Sequence, residues 1–117
     1  MARRIWVAVD CNAHTNPKII KLADLLNLDI DATVGKLTRL WAWAKLADNE
    51  NGYIGALPAT EFAGIMRWNK KPQTLLNALI ESGLIDGNSD GGYTLHDWYE
   101  LNGKSAEKAR KDRERKA

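Results

Sequence analysis

At 117 residues, 44% of them hydrophobic and 27% charged, the chain is sized for one domain and is too apolar for wholesale disorder. Its single cysteine excludes an internal disulfide, and no Cys/His spacing matches a four-ligand zinc site. The formal charge of +2 joins unlike parts: residues 104–117 hold seven basic and three acidic side chains, a net of +4, and residues 1–103 hold ten basic and twelve acidic ones, a net of −2.

The opening MARRIWVAVD has only a short apolar run before Asp10, which suits neither a secretory signal nor a membrane span. A soluble, intracellular protein with no membrane partner is the expectation. Arg4 to Val9 is apolar and rich in β-formers, which predicts a short strand. Asn16-Pro17 places an N-cap before a helix-initiating proline, and Ile19, Ile20, Ala23 and Leu26 recur at helical spacing. Asp31 is the expected cap of a second, longer helix over 31–48, with Val34, Leu37, Trp41 and Ala44 on one face and Leu40 beside them. Trp43 points nearly opposite Trp41, so this helix is expected to bury two faces, and Asn51-Gly52 to end it.

Tyr53 to Leu57 predicts a short strand, and Pro58 starts a helix carrying Phe62, Ile65 and Met66 that Trp68-Asn69 break. KKPQTLLNALIESG reads as an amphipathic helix with Pro72 in its first turn and Gly83 as its stop. Leu84-Ile85 and Tyr93-Thr94-Leu95 flank the turn 87–92, a hairpin signature. After Gly103 comes the basic tail, whose composition admits either a helix or a disordered segment.

This order predicts a mostly α fold with a small β component: a winged helix-turn-helix with an N-terminal strand and helix added. Residues 1–102 would form the winged-helix domain, with the helix-turn-helix at about 58–83 (helices 58–66 and 71–83) and the wing at about 84–96; 103–117 would be a tail or linker. On helix 71–83, Leu75, Leu76, Leu79 and Ile80 fall on one side. Lys70, Gln73, Thr74, Asn77 and Glu81 fall on the other, flanked by Lys71 and Ala78.

That polar face has the chemistry of groove reading: Gln73 and Asn77 can pair with adenine, Thr74 suits a base or a phosphate, and Lys70 and Lys71 neutralise phosphates. Any surface helix also needs a polar face, so solvent remains an equal explanation for it. Residues 53–98 hold three basic and five acidic residues, and the wing has no lysine or arginine while Asp86 and Asp90 would repel phosphate. Lys104, Lys108, Arg110 and Lys111 of the tail are the candidate phosphate contacts that would supply the missing attraction; a solvated extension is the plainer account of the same residues.

The whole chain resembles the N-terminal domain of phage replisome organisers, the DnaD-like group of replication-initiation and helicase-loading proteins. The resemblance rests on WVAVDCNAHTNPKIIKL, LWAWAKLADNENGYIGALP, LLNALIESGLID, the hairpin closing on HDWYE, and the charged tail KSAEKARKDRERKA. It implies a winged helix that supports DNA binding, self-association or both, working in the bacterial host cytoplasm or nucleoid beside a replicative helicase or initiator. By position it carries Lys70, Lys71, Gln73, Thr74 and Asn77 onto the recognition helix. The wing departs from the pattern in lacking basic residues.

Catalysis finds little support. Gly103-Lys104-Ser105 lacks the glycine that a phosphate-binding loop needs at position 98, which is Trp98. Cys11, His14, His96 and Asp97 have too few thiolates for structural zinc and no catalytic context, so neither a metal nor a cofactor nor an enzyme is expected. Five tryptophans, at 6, 41, 43, 68 and 98, are scattered, with core packing the default for each and burial expected for Trp41 in particular. Trp43 and Trp68 are the two most open to another role. Trp43 and Leu46 must meet the N-terminal helix or a second protomer, which makes them the candidate protein interface. Double-stranded DNA is thus the first expected partner, with a replisome protein or self-association the alternative, and a winged-helix transcription regulator the second choice among DNA binders.

Overall fold

The computed structural model describes residues 4–47, 49–98 and 102–116. Arg3, Asp48, Tyr99, Glu100 and Ala117, which entered the sequence-based expectations, lie outside them. Among the described residues the fold is mostly helical with one three-stranded antiparallel sheet. A single 3₁₀ turn, Ala13–Thr15, precedes α1 (Pro17–Leu26) and α2 (Ile30–Leu46). β1 (Tyr53–Gly55), α3 (Ala59–Met66), α4 (Pro72–Ser82), β2 (Ile85–Asn88), β3 (Gly92–Leu95) and α5 (Lys104–Lys116) follow.

The helix ends obey local chemistry. The Asn16 side chain accepts from the Lys18 amide at 2.8 Å, with Pro17 at the first helical position. Left-handed residues stop three helices: Asn27 after α1, Arg67 after α3 and Gly83 after α4. The cap of α2 is Asp29 and not Asp31: Asp29 accepts the Ala32 amide at 2.7 Å, and its carbonyl takes the buried Thr33 hydroxyl at 2.9 Å. Asp31 instead lies in the first turn, exposed, 3.6 Å from His14. The same helix ends at Leu46, short of Asn51-Gly52, which turns the chain into β1 instead.

β1, β3 and β2 lie side by side in that order, both pairs antiparallel. Glycine is required where this sheet meets the loop from α2. Gly52 has φ of 84°, and a Cβ there would stand 2.7 Å from the Trp98 Cβ. Its carbonyl accepts the Leu95 amide at 2.8 Å, extending the β1–β3 seam.

One core unites the helices and the sheet. Leu22, Leu37, Leu40, Phe62, Met66, Leu75, Leu79 and Ile85 are wholly buried, and Phe62 meets Tyr93 edge-on at 5.8 Å. α4 packs on α1 and α3, and α2 on both α1 and α3.

Four expectations need correction. Arg4–Val9 forms no strand; the segment has no regular secondary structure and is largely exposed, and the three strands among the described residues pair with one another. Its hold on the fold comes from the buried Asn102, whose amide accepts the Ala8 N–H at 2.7 Å and donates to the Ala8 carbonyl at 3.1 Å. Second, α4 is rotated from its expected facing: Ala78 is 4% exposed and Ile80 40%, in a helix that packs on both α1 and α3. Third, α2 is not buried on two faces, with Trp43 37% and Leu46 66% exposed, and Trp41 is only partly covered. Fourth, the strand expected over 53–57 ends at Gly55, whose φ of 75° and a register shift break the ladder.

Candidate nucleic-acid interface

The turn between α3 and α4 is built around Trp68. Its amide donates to the Ala63 carbonyl at 2.9 Å, and its indole Nε1–H donates to the Lys71 carbonyl at 2.9 Å. Buried to 7% exposure, the ring bridges the end of α3 and the start of α4. Trp68 is therefore a packing residue that fixes the turn, and Lys70 lies over its ring with Nζ 5.9 Å from the centroid.

Lys70, Lys71, Gln73, Thr74 and Asn77 are all exposed, at or just before the first half of α4. The structure brings these five together as one solvent face, with Gln73 Nε2 donating to Asn77 Oδ1 at 2.8 Å. Glu81 continues the face toward the end of the helix.

Lys36 joins this region although nothing in the sequence signals it. From the middle of α2 its Nζ donates to the Arg67 carbonyl at 2.7 Å and reaches the Met66 carbonyl at 3.4 Å. A cation there complements the carbonyl end of α3. Lys36, Arg67, Lys70 and Lys71 thus concentrate positive charge at one end of the polar face. Only the packing of α2 on α3 makes Lys36 part of it, across 31 residues of chain.

The β2–β3 hairpin has opposite character. Asp86 and Asp90 are exposed, but Asp86 is engaged, 3.0 Å from His96 Nδ1. Lys18 of α1 reaches the other ring nitrogen, with Nζ 2.5 Å from His96 Nε2, so the imidazole stands between an ammonium and the Asp86 carboxylate. Asp97 stands 3.5 Å from the same Nε2. This chain of groups ties α1 to the base of the β2–β3 hairpin beside a cleft of about 470 Å³ lined by Trp41, Leu84, His96 and Asp97. The cleft has a His–carboxylate pair but no Ser, Thr or Cys in its lining, and Cys11 is exposed outside it.

The tail residues are placed differently from those on α4. α5 is helical and docked: Ala106 is buried, and Lys45 of α2 donates to the Asn102 carbonyl at 3.0 Å and to the Ser105 hydroxyl. Arg110 grips Glu50 through Nε at 2.7 Å and Glu114 at 3.0 Å. The hydrogen bond to Glu50, then that to Glu114, push its pKa further above the ordinary guanidinium value. Lys111 pairs with Glu107 at 2.8 Å, and Arg115 with Asp112. Lys104 and Lys108 are exposed. Of the four tail candidates, Arg110 and Lys111 already hold carboxylates, so their charge is partly spoken for before any phosphate arrives.

Among the described residues no group of three His, Cys, Asp or Glu side chains could hold a metal ion, and no helix is long and apolar enough to cross a membrane. No protein-family model, curated protein or solved structure matches the chain.

Proposed function

We propose that this chain is a winged-helix DNA-binding module of the phage replisome-organiser type, with α4 as its recognition helix. Two helices stand between β1 and β2, and β3 inserts between those strands, the connectivity a helix-turn-helix with a wing requires. The observation that carries the proposal is the exposed face Lys70, Lys71, Gln73, Thr74 and Asn77, with Lys36 and Arg67 adding charge at its N-terminal end. Lysines there neutralise phosphates and set the register, while the amides of Gln73 and Asn77 exchange their mutual bond for base edges. The acidic wing stays off the backbone. Lys104 and Lys108 add a weaker, sequence-independent attraction.

The test is a salt titration of duplex binding, read by fluorescence anisotropy on the full chain. Lys70→Ala plus Lys71→Ala should weaken binding and lower the slope of log K against log salt by about 2 if each lysine neutralises one phosphate. An unchanged affinity and slope would refute α4 as the contact surface. A role in transcription in place of replication makes the same prediction, and only the DNA site selected would part them.

Protein–protein association is favoured by a separate observation, the exposure of Trp43 and Leu46 at the other end of α2 from its Asp29 cap. Self-association through that surface would make affinity for DNA depend on protein concentration.

A further inference from the structure

Gln73 and Asn77 stand one turn apart on α4, both exposed, with Gln73 Nε2 donating to Asn77 Oδ1 at 2.8 Å. That bond lines the two carboxamides up along the helix, over a rise of about 6 Å, or about two base-pair steps. A carboxamide presents an acceptor and a donor side by side. In the major groove adenine is the base with the matching pair, an N6–H donor next to the N7 acceptor. Guanine shows two acceptors, N7 and O6, and is met by Arg or Lys. The helix Pro72–Ser82 contains neither residue type. Glu81, a further turn along, is exposed and offers acceptors only. Lys70 and Lys71 precede the helix, and Lys70 lies over the Trp68 ring of the turn, 5.9 Å from its centroid. Charge therefore gathers at the turn, and the groups that match base edges lie within the helix.

We propose that α4 selects duplexes carrying two A·T pairs within about two steps of each other in one major-groove segment, Gln73 reading one adenine and Asn77 the other. The inference rests on α4 being the helix that contacts DNA, and adds the class of sequence it takes. In each contact the adenine N6–H donates to the carboxamide oxygen, and a carboxamide N–H donates to N7. Thr74, exposed beside Gln73, supplies a methyl group for contact with a thymine C5-methyl. Selection of A·T through a narrow minor groove works by inserted cations. From Pro72 to Ile80 the side chains of α4 are uncharged, which suits the base edges instead.

The experiment selects duplexes from a randomised pool with the full chain, then titrates the selected duplex by fluorescence anisotropy. The site should hold two A·T pairs within about two steps, and exchanging either for G·C should weaken binding about tenfold. Gln73→Ala should erase the preference at one of these pairs and Asn77→Ala at the other. Both should leave the salt slope unchanged, because neither side chain meets a phosphate. Gln73→Arg should move the preference at its pair from adenine to guanine. Replacing either adenine by 7-deazaadenine, which lacks the N7 acceptor, should weaken the unmodified chain about fivefold or more, and Gln73→Ala should not respond to it at the pair that Gln73 reads. The substituted side chains are exposed, and circular dichroism checks that each variant is folded; if one is not, the base analogue on the unmodified chain decides alone. Duplex binding without A·T enrichment overturns the inference. So does an A·T preference that survives both alanine variants or 7-deazaadenine, which would assign it to groove shape. In those cases weakening by Lys70→Ala plus Lys71→Ala still supports α4 as the contact surface, whereas absence of duplex binding overturns both readings.

Discussion

Replacing Gly52 by Ala probes the seam on which the hairpin is set relative to α3 and α4. At φ of 84° an alanine must adopt a left-handed conformation, which costs about 1–2 kcal/mol. Its Cβ would also stand 2.7 Å from the Trp98 Cβ, 3.0 Å from the Leu95 carbonyl oxygen and 3.2 Å from the Trp98 Cγ. None of these can swing aside as the end of a flexible chain would, because Trp98 is buried and its Nε1–H is bonded to the Asn49 carbonyl at 2.9 Å. Overpacking of this kind adds about 1–3 kcal/mol, so the total is about 2–5 kcal/mol. With an unfolding entropy of about 0.25 kcal/mol/K for a chain of this length, Tm should fall by about 8–20 °C.

Gly35→Ala is the matched control. That residue lies within α2, is exposed, and a Cβ there meets nothing within 4 Å. The substitution should stabilise by about 0.5–1 kcal/mol, raising Tm by about 2–4 °C. Thermal melts followed by circular dichroism at 222 nm read both. Opposite signs are required; a Gly52→Ala protein melting at or above the unmodified chain would refute the close packing of the 49–53 loop on Trp98.

Asp29→Ala should cost about 0.5–2 kcal/mol by urea denaturation, since it removes the cap on α2, and Asp31→Ala should stay within about 0.5 kcal/mol. Ile80→Lys should be tolerated within about 0.5 kcal/mol while Ala78→Lys costs more than about 2 kcal/mol, the reverse of what the sequence pattern alone implies. The duplex titration of the α4 lysines tests that face separately from these stability measurements.

Much of the helix order was legible because its signals are local. Asn16-Pro17, Pro72 and Gly83 act through the backbone of their own turn, and the leucines of α4 repeat at the helical period. The failures involve partners distant in sequence. A strand is defined by its neighbour, so the apolar alternation of Arg4–Val9 could not reveal that a side chain, Asn102, takes the Ala8 backbone bonds in place of a strand. Ala78 and Ile80 differ in exposure because of how α4 seats against α1 and α3 together, which no periodicity within α4 encodes. Trp6, treated like the other tryptophans as core, is the most exposed of the large apolar side chains among the described residues.

The sequence by itself determined the order of α1 to α4, the turn positions, the polar face of α4 and the division of charge between residues 1–103 and the tail, but left α5 open between helix and disorder. Tertiary structure decided what that charge can do. Docking α5 on α2 sets Arg110 against Glu50, 60 residues away, and leaves the tail less free to neutralise phosphate than its +4 implies. Packing α2 on α3 does the opposite, bringing Lys36 to the turn that leads into α4. Charge is a property of composition, but its availability depends on distances that only the folded chain fixes.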